Sequence, residues 1–203
     1  MPPASDASPA EPVVELRDGQ SAMFGYGSLL SRRSMERTLG RRYDGPATPC
    51  ALDGWRRSWD VVMPNTRLCA VEDGAEFVPE HIVYLNVRPA AGPPVNGLLY
   101  VLDAAELAAF DRREWIYDRI AVTDRLRGVR LRGGDAYVYV ARPEFVLDPS
   151  WPRSRAALRR TYVDIVETGL GELGAEFRAR YDASTDAVPA ERLFDDVERS
   201  SRR

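Results

Sequence analysis

The chain has no lysine, one histidine and two cysteines among its 203 residues. Its 28 basic side chains are therefore all arginine, set against 31 acids for a formal net charge of −3. That balance supplies no field for recruiting nucleic acid. The arginine pairs Arg32-Arg33, Arg41-Arg42, Arg56-Arg57 and Arg159-Arg160 are scattered among acids, and they read as a solvated, ion-paired surface rather than a phosphate-binding patch. The one histidine, His81, belongs to no cluster of His, Cys and carboxylates at ligand spacing, so no metal centre is expected. Nothing in the local sequence brings Cys50 or Cys69 toward His81, and both cysteines read as small buried residues. With no other sign of secretion, they read as reduced thiols of a soluble cytoplasmic protein. No apolar run approaches the roughly 20 residues of a membrane span. No basic segment followed by an apolar stretch opens the chain, so no signal peptide is expected. A Walker A sequence is absent, and Gly25-Tyr26-Gly27 lacks the third glycine of a dinucleotide fingerprint.

What is present is enough for one sizeable core: 44% hydrophobic residues, with four Trp, nine Tyr and six Phe. Residues 1–19, rich in Pro, Ala, Ser and acids, read as a disordered tail. The domain is expected over 20–182, and the charged stretch 183–203 as a loose or partly helical tail. Residues 22–26 read as a buried strand. Ser31 then caps a short helix with Met35 and Leu39 on one face and Gly40 at its end. Thr48 to Met63 reads as two strands around Asp53-Gly54, a hairpin-turn signal. Strands follow at 82–87 and 97–102, joined by the Pro-rich connector 89–94. Asp103 with Glu106 predicts a capping box for a helix that turns Leu107 and Phe110 inward and ends near Arg113. Further strands are expected at 116–122, 127–131 and 136–141. Ser154 is then expected to cap a helix carrying Leu158, Tyr162, Ile165, Val166 and Gly169 on one face, with another helix from Glu172 to Tyr181. Strands dominate the middle without regular βαβ alternation, which favours an α+β class with a curved mixed sheet or barrel.

Two segments carry chemical interest. In Met23-Phe24-Gly25-Tyr26-Gly27-Ser28-Leu29 an apolar strand stops at small residues just before a helix start. Such a turn exposes several backbone N–H groups together and suits an anion or a carboxylate. Far along the chain, Glu114 stands where a helix ends, after two arginines and before Trp115 and Tyr117. A carboxylate among aromatics in a partly dry site has a raised pKa and can act as a base near neutral pH. On this segment alone the plainer reading is a helix-end Glu paired with Arg112, Arg113 or Arg119.

Taken together, the segments resemble the γ-glutamylcyclotransferase-like superfamily. Tyr26-Gly27-Ser28-Leu29 after an N-terminal strand resembles its YGSL signature. The run from Val95-Asn96-Gly97-Leu98-Leu99-Tyr100-Val101-Leu102 through Phe110-Asp111-Arg112-Arg113-Glu114 to Tyr117 resembles its second motif, and Tyr162 to Gly169 its C-terminal helix. The likeness spans roughly residues 22–178. Phe110 stands where the family usually has Leu, and Trp115-Ile116 is bulkier than the links in many members. The resemblance implies a small mixed-sheet β-barrel with flanking helices and a cavity at one end. It implies a cofactor-independent reaction in which the α-amine of a γ-glutamyl amine or γ-glutamyl amino acid attacks its own γ-carbonyl, releasing 5-oxoproline and the free amine. Glu114 would be the general acid/base, the backbone of Tyr26, Gly27, Ser28 and Leu29 would cradle the glutamyl group, and the Tyr117 and Tyr162 hydroxyls would line the pocket. For both tyrosines, aromatic core packing is the alternative. The expected partner is a small-molecule γ-glutamyl substrate, with no nucleic acid and no membrane. A non-catalytic small-molecule-binding module on the same fold and a purely structural domain are the other readings.

Overall fold

The computed structural model describes residues 11–72 and 74–198. The chain opens with β1 (Val13–Glu15), β2 (Gln20–Gly25), a 3-10 turn over Ser28–Leu30, α1 (Arg32–Leu39), β3 (Ala47–Leu52) and β4 (Trp55–Pro64). Next come β5 (Leu68–Glu72), β6 (Ala75–Phe77), β7 (His81–Pro89), β8 (Val95–Asp103), α2 (Ala104–Arg113) and β9 (Tyr117–Ala121). The rest comprises β10 (Leu126–Arg127), β11 (Arg130–Arg132), β12 (Ala136–Ala141), β13 (Ala156–Arg159), α3 (Arg160–Leu173), α4 (Ala175–Ala183) and β14 (Leu193–Glu198). One six-stranded sheet runs β10-β3-β8-β2-β12-β9 and another β4-β7-β13-β14-β5-β6, with β1 and β11 paired separately. The pairings of β12 with β2, and of β13 with both β7 and β14, are parallel, so both large sheets are mixed. The fold is α+β, a curled half-barrel with four α-helices among the described residues.

Sequence pattern explains the centre of this architecture. β8 lies between β2 and β3, and its near-continuous apolar run Val95 to Leu102 is buried on both faces, apart from a half-buried Val101. Such a run suits a strand covered on both sides. α1 ends where Gly40 takes a left-handed φ of 66°, a conformation glycine adopts without a Cβ penalty. α2 starts with the expected capping box: the Asp103 carboxylate accepts from the Glu106 N–H at 2.8 Å, and Glu106 accepts from the Asp103 N–H at 3.0 Å.

Four expectations are corrected. The Asp53-Gly54 turn exists, with Gly54 at φ 80°, but it makes no hairpin. β3 pairs with β8 and β10, whereas β4 pairs with β7, so the turn is a corner between sheets. Ser154 caps no helix. Ala156, Ala157 and Leu158 form β13, inserted between β7 and β14, and the helix starts at Arg160. The segment expected to be a loose C-terminal tail contains β14, which joins β13 to β5 and seats Phe194 against Ala70, Ala157 and Phe77. Within the segment read as a disordered N-terminal tail, Val13–Glu15 pairs with Arg130–Arg132; alternate burial of Val14 gives that short strand a reason to stay. The remainder of those two tails, 1–10 and 199–203, lies outside the described residues.

Candidate active site

The end of β2 supplies the first wall of the site. After Gly25 the chain turns through Tyr26 and Gly27 into the 3-10 turn, which closes by Leu30 N–H donating to Gly27 O at 2.9 Å. Among the described residues no acceptor meets the N–H groups of Gly27, Ser28 and Leu29, as is usual for the first turn of a helix. A Cβ on Gly27 would come within 3.2 Å of the Tyr162 hydroxyl and 3.5 Å of Leu85, so a side chain there would crowd the cavity. From behind, α3 packs through Gly169, where a Cβ would fall 2.7 Å from the Leu30 carbonyl carbon and the Ser31 nitrogen.

The opposite wall comes from the end of α2. Glu114 is its C-terminal cap, its N–H donating to Phe110 O at 2.8 Å, and its own carbonyl accepts from the Tyr117 N–H at 2.8 Å. This tight turn passes the chain straight into β9. Asp111 fixes the same helix end: it accepts from the Tyr139 hydroxyl at 2.8 Å and from Arg119 at 2.8 Å. Asp111 thus ties α2 to β9 and β12, and the carboxylate that follows is held in place.

All seven residues singled out from the sequence, Tyr26, Gly27, Ser28, Leu29, Glu114, Tyr117 and Tyr162, line one cavity with about 350 Å³ of unfilled space, part of it open to solvent. Leu85 and Tyr139, which the sequence did not single out, line it as well. The tyrosines combine packing and polarity. Tyr26 donates to Tyr139 O at 2.8 Å, Tyr117 donates to Leu85 O at 3.0 Å, and Tyr162 accepts weakly from the Leu85 N–H at 3.4 Å. Trp59 and Tyr84 meet the Tyr162 ring edge-on. Burial pushes the three phenols above their ordinary pKa of 10, with smaller contributions from Glu114, so at neutral pH they are neutral hydroxyls.

Glu114 is buried except for 16% of its side chain. Burial raises its pKa from the ordinary 4.5, and Arg113 opposes that rise. Arg113 is the hub of the site. Its Nε lies 3.2 Å from Glu114 Oε1. Its terminal nitrogens donate to Ser28 Oγ at 2.9 Å, to Thr38 Oγ1 at 3.0 Å and to Ser34 Oγ at 3.3 Å. One guanidinium therefore joins the carboxylate, the glycine turn and α1. The pairing of Glu114 with Arg113 that the sequence offered as a plain alternative is real, yet it lies inside the cavity wall.

A second arginine overturns a sequence expectation. Arg57, read as a surface residue, is fully buried. Its Nε donates to Tyr26 O at 2.9 Å, Nη1 to the Ser184 and Thr185 hydroxyls at 3.0 Å each, and Nη2 to the backbone and side-chain oxygens of Asn96. Its five donors thus all have acceptors, and the Tyr181 ring covers the guanidinium at 4.2 Å. Burial lowers its pKa to about 10. The Tyr26 carbonyl is thus held by a buried cation, which fixes the start of the glycine turn.

The profile of the family described as "Gamma-glutamyl cyclotransferase, AIG2-like" matches residues 23–156. The chain belongs to this family. Both the glycine turn and Glu114 fall within the matched span. Among solved structures, a γ-glutamyl cyclotransferase superimposes with a TM-score of 0.52 at 14% identity, covering 84% of this chain and 92% of that one. An uncharacterized protein from Homo sapiens does so with a TM-score of 0.52 at 17% identity, covering 86% and 96%. At these identities the likeness is one of fold. No curated protein matches the chain.

The other chemistry-bearing residues lie elsewhere. His81 on β7 stacks against Trp151 at 4.9 Å, and neither residue lines the cavity. Cys50 on β3 and Cys69 on β5 are buried in different sheets, and burial pushes the Cys50 thiol up to about 12. Among the described residues no three His, Cys, Asp or Glu side chains gather as metal ligands, and no helix is long and apolar enough to cross a membrane.

Proposed function

We propose that this protein is a γ-glutamyl cyclotransferase that converts a γ-glutamyl amine or γ-glutamyl amino acid to 5-oxoproline and a free amine. The observation that carries the reading is the shared cavity: Glu114 faces the Tyr26–Leu29 turn, with Arg113 bridging the two. The N–H groups of Gly27, Ser28 and Leu29 suit the glutamyl group, whose carboxylate and γ-carbonyl oxygen both accept hydrogen bonds.

The chemistry runs within one molecule. The α-ammonium loses a proton to Glu114, and the freed lone pair attacks the γ-carbonyl carbon to form the five-membered ring. Glu114, now protonated, hands that proton to the departing nitrogen as the γ C–N bond breaks. It then takes the second proton of the ring nitrogen and passes it to the free amine, which leaves as an ammonium and restores the carboxylate. No water is consumed and no electrons are exchanged. A raised carboxylate pKa brings Glu114 nearer the amine it must deprotonate. Holding the two reacting ends together is worth about 7–11 kcal/mol of barrier in favourable intramolecular cases.

Incubating the protein with a panel of γ-glutamyl amino acids and γ-glutamyl amines tests this by chromatographic detection of 5-oxoproline. Release of 5-oxoproline in step with the free amine is expected. Retained binding with no release across the panel would leave a non-catalytic binding module on this fold.

A further inference from the structure

The cavity does not end at Glu114. Ser28, Glu114, Tyr117 and Tyr162 also line a wider adjoining chamber with about 850 Å³ of unfilled space, part of it open to solvent. If the glutamyl group sits at the turn, the group on the scissile nitrogen must extend into this chamber. Its walls indicate what that group carries.

Part of the lining is apolar, from Met63, Ile116, Ile165 and the Tyr84 ring. Two cations border it. Arg113 is engaged, with its donors on Glu114, Ser28, Ser34 and Thr38. Arg37, on the exposed side of α1, has no ion pair or hydrogen bond of its side chain among the described residues. Among the described residues the only carboxylate in the wall, Glu114, already faces Arg113. A leaving group with a second ammonium would meet positive charge and no unengaged acid. One with a carboxylate and an apolar side chain would find an available guanidinium and apolar lining.

We propose that the adjoining chamber is a subsite for an α-amino acid leaving group with an uncharged, apolar side chain, and that Arg37 takes its carboxylate. The proposal deepens the cyclotransferase reading and rests on it for the other half of the substrate. It favours γ-glutamyl amino acids over γ-glutamyl amines, and it makes Arg37 a specificity-determining residue.

The test uses a matched pair: γ-glutamyl-leucine, and γ-glutamyl-isoamylamine, which differs only by the missing carboxylate. Rates of 5-oxoproline release are measured for the wild type, Arg37→Gln and Arg37→Lys. Calorimetric affinities are measured for Glu114→Gln with and without Arg37→Gln. The wild type is expected to prefer the leucine compound by about ten-fold in kcat/KM, the size of one charge-assisted hydrogen bond. Arg37→Gln should bring the ratio to about two-fold or less, and Arg37→Lys should restore part of it. Equal use of both compounds by the wild type, or a ratio unmoved by Arg37→Gln, overturns the subsite while 5-oxoproline release upholds the reaction. Carboxylate-selective binding that depends on Arg37, without any release, supports the subsite and overturns the reaction. Binding of neither compound overturns both.

Discussion

At Glu114 two influences oppose each other. Burial favours the protonated form and Arg113 favours the charged one; burial wins, and the pKa lies above 4.5. The consequences for pH have a definite sign. Folding holds the proton more tightly than the unfolded chain does. The stability contributed by Glu114 is therefore present below its ordinary pKa and is lost as pH rises through the raised value. Under the proposed mechanism activity runs the other way, since Glu114 must be ionised to act as the base. The acid limb of kcat/KM should lie above the ordinary carboxylate range and follow Glu114. Arg113→Met removes the opposing charge, so that limb should move to higher pH, and a pH–rate profile reads this directly. A limb that stays in place would mean that another group sets it. The sequence showed Glu114 and the turn as separate oddities, which the family resemblance joined. It did not show the role of Arg113, because an arginine beside a helix-end Glu is ordinary until the tertiary fold delivers Ser28, Ser34 and Thr38 to the same guanidinium.

Among the elements, the ends of β2, β4 and β8 and the segment after α4 converge on Arg57, which holds Tyr26 O, Asn96, Ser184 and Thr185 at once. Arg57→Met would leave several of these buried acceptors without a donor. We expect a loss of roughly 3–5 kcal/mol in denaturant unfolding, the range seen when one member of a buried charged network is removed. The elements themselves were legible in proportion to their local signals. The apolar runs of β7, β8 and β12, the Gly40 stop of α1 and the capping box of α2 all depend on neighbours in sequence. The Asp53-Gly54 corner and β13 were not legible in full. A turn signal does not say which sheet the next strand joins, and a four-residue strand running straight into α3 shares its apolar pattern with the helix. Arg57 was hidden for a simpler reason. Charge is a good guide to the surface, and nothing local marks the exception.

Across the whole molecule, the second sheet depends on its last strand. β14 sits between β13 and β5, so the hairpin β5–β6 is attached to the rest of that sheet through residues 193–198. Phe194 is 6% exposed and meets the Phe77 ring edge-on at 5.0 Å. Phe194→Ala should lower the unfolding free energy by about 3 kcal/mol, the low end for a buried phenylalanine, because the surrounding cluster is small. It should also make the 68–77 hairpin easier to cleave by protease. The cavity lies mainly among other elements, so catalysis per folded molecule is expected to fall much less than stability.

In the proposed mechanism one cavity divides its work between a turn that holds the glutamyl group and a carboxylate, distant in sequence, that moves its protons. Measuring 5-oxoproline release by Glu114→Gln, alongside its affinity for the same γ-glutamyl compound, tests it most directly. A fall in kcat of about 10²–10⁴-fold is expected, with affinity largely kept. A variant that releases 5-oxoproline at the wild-type rate would contradict it.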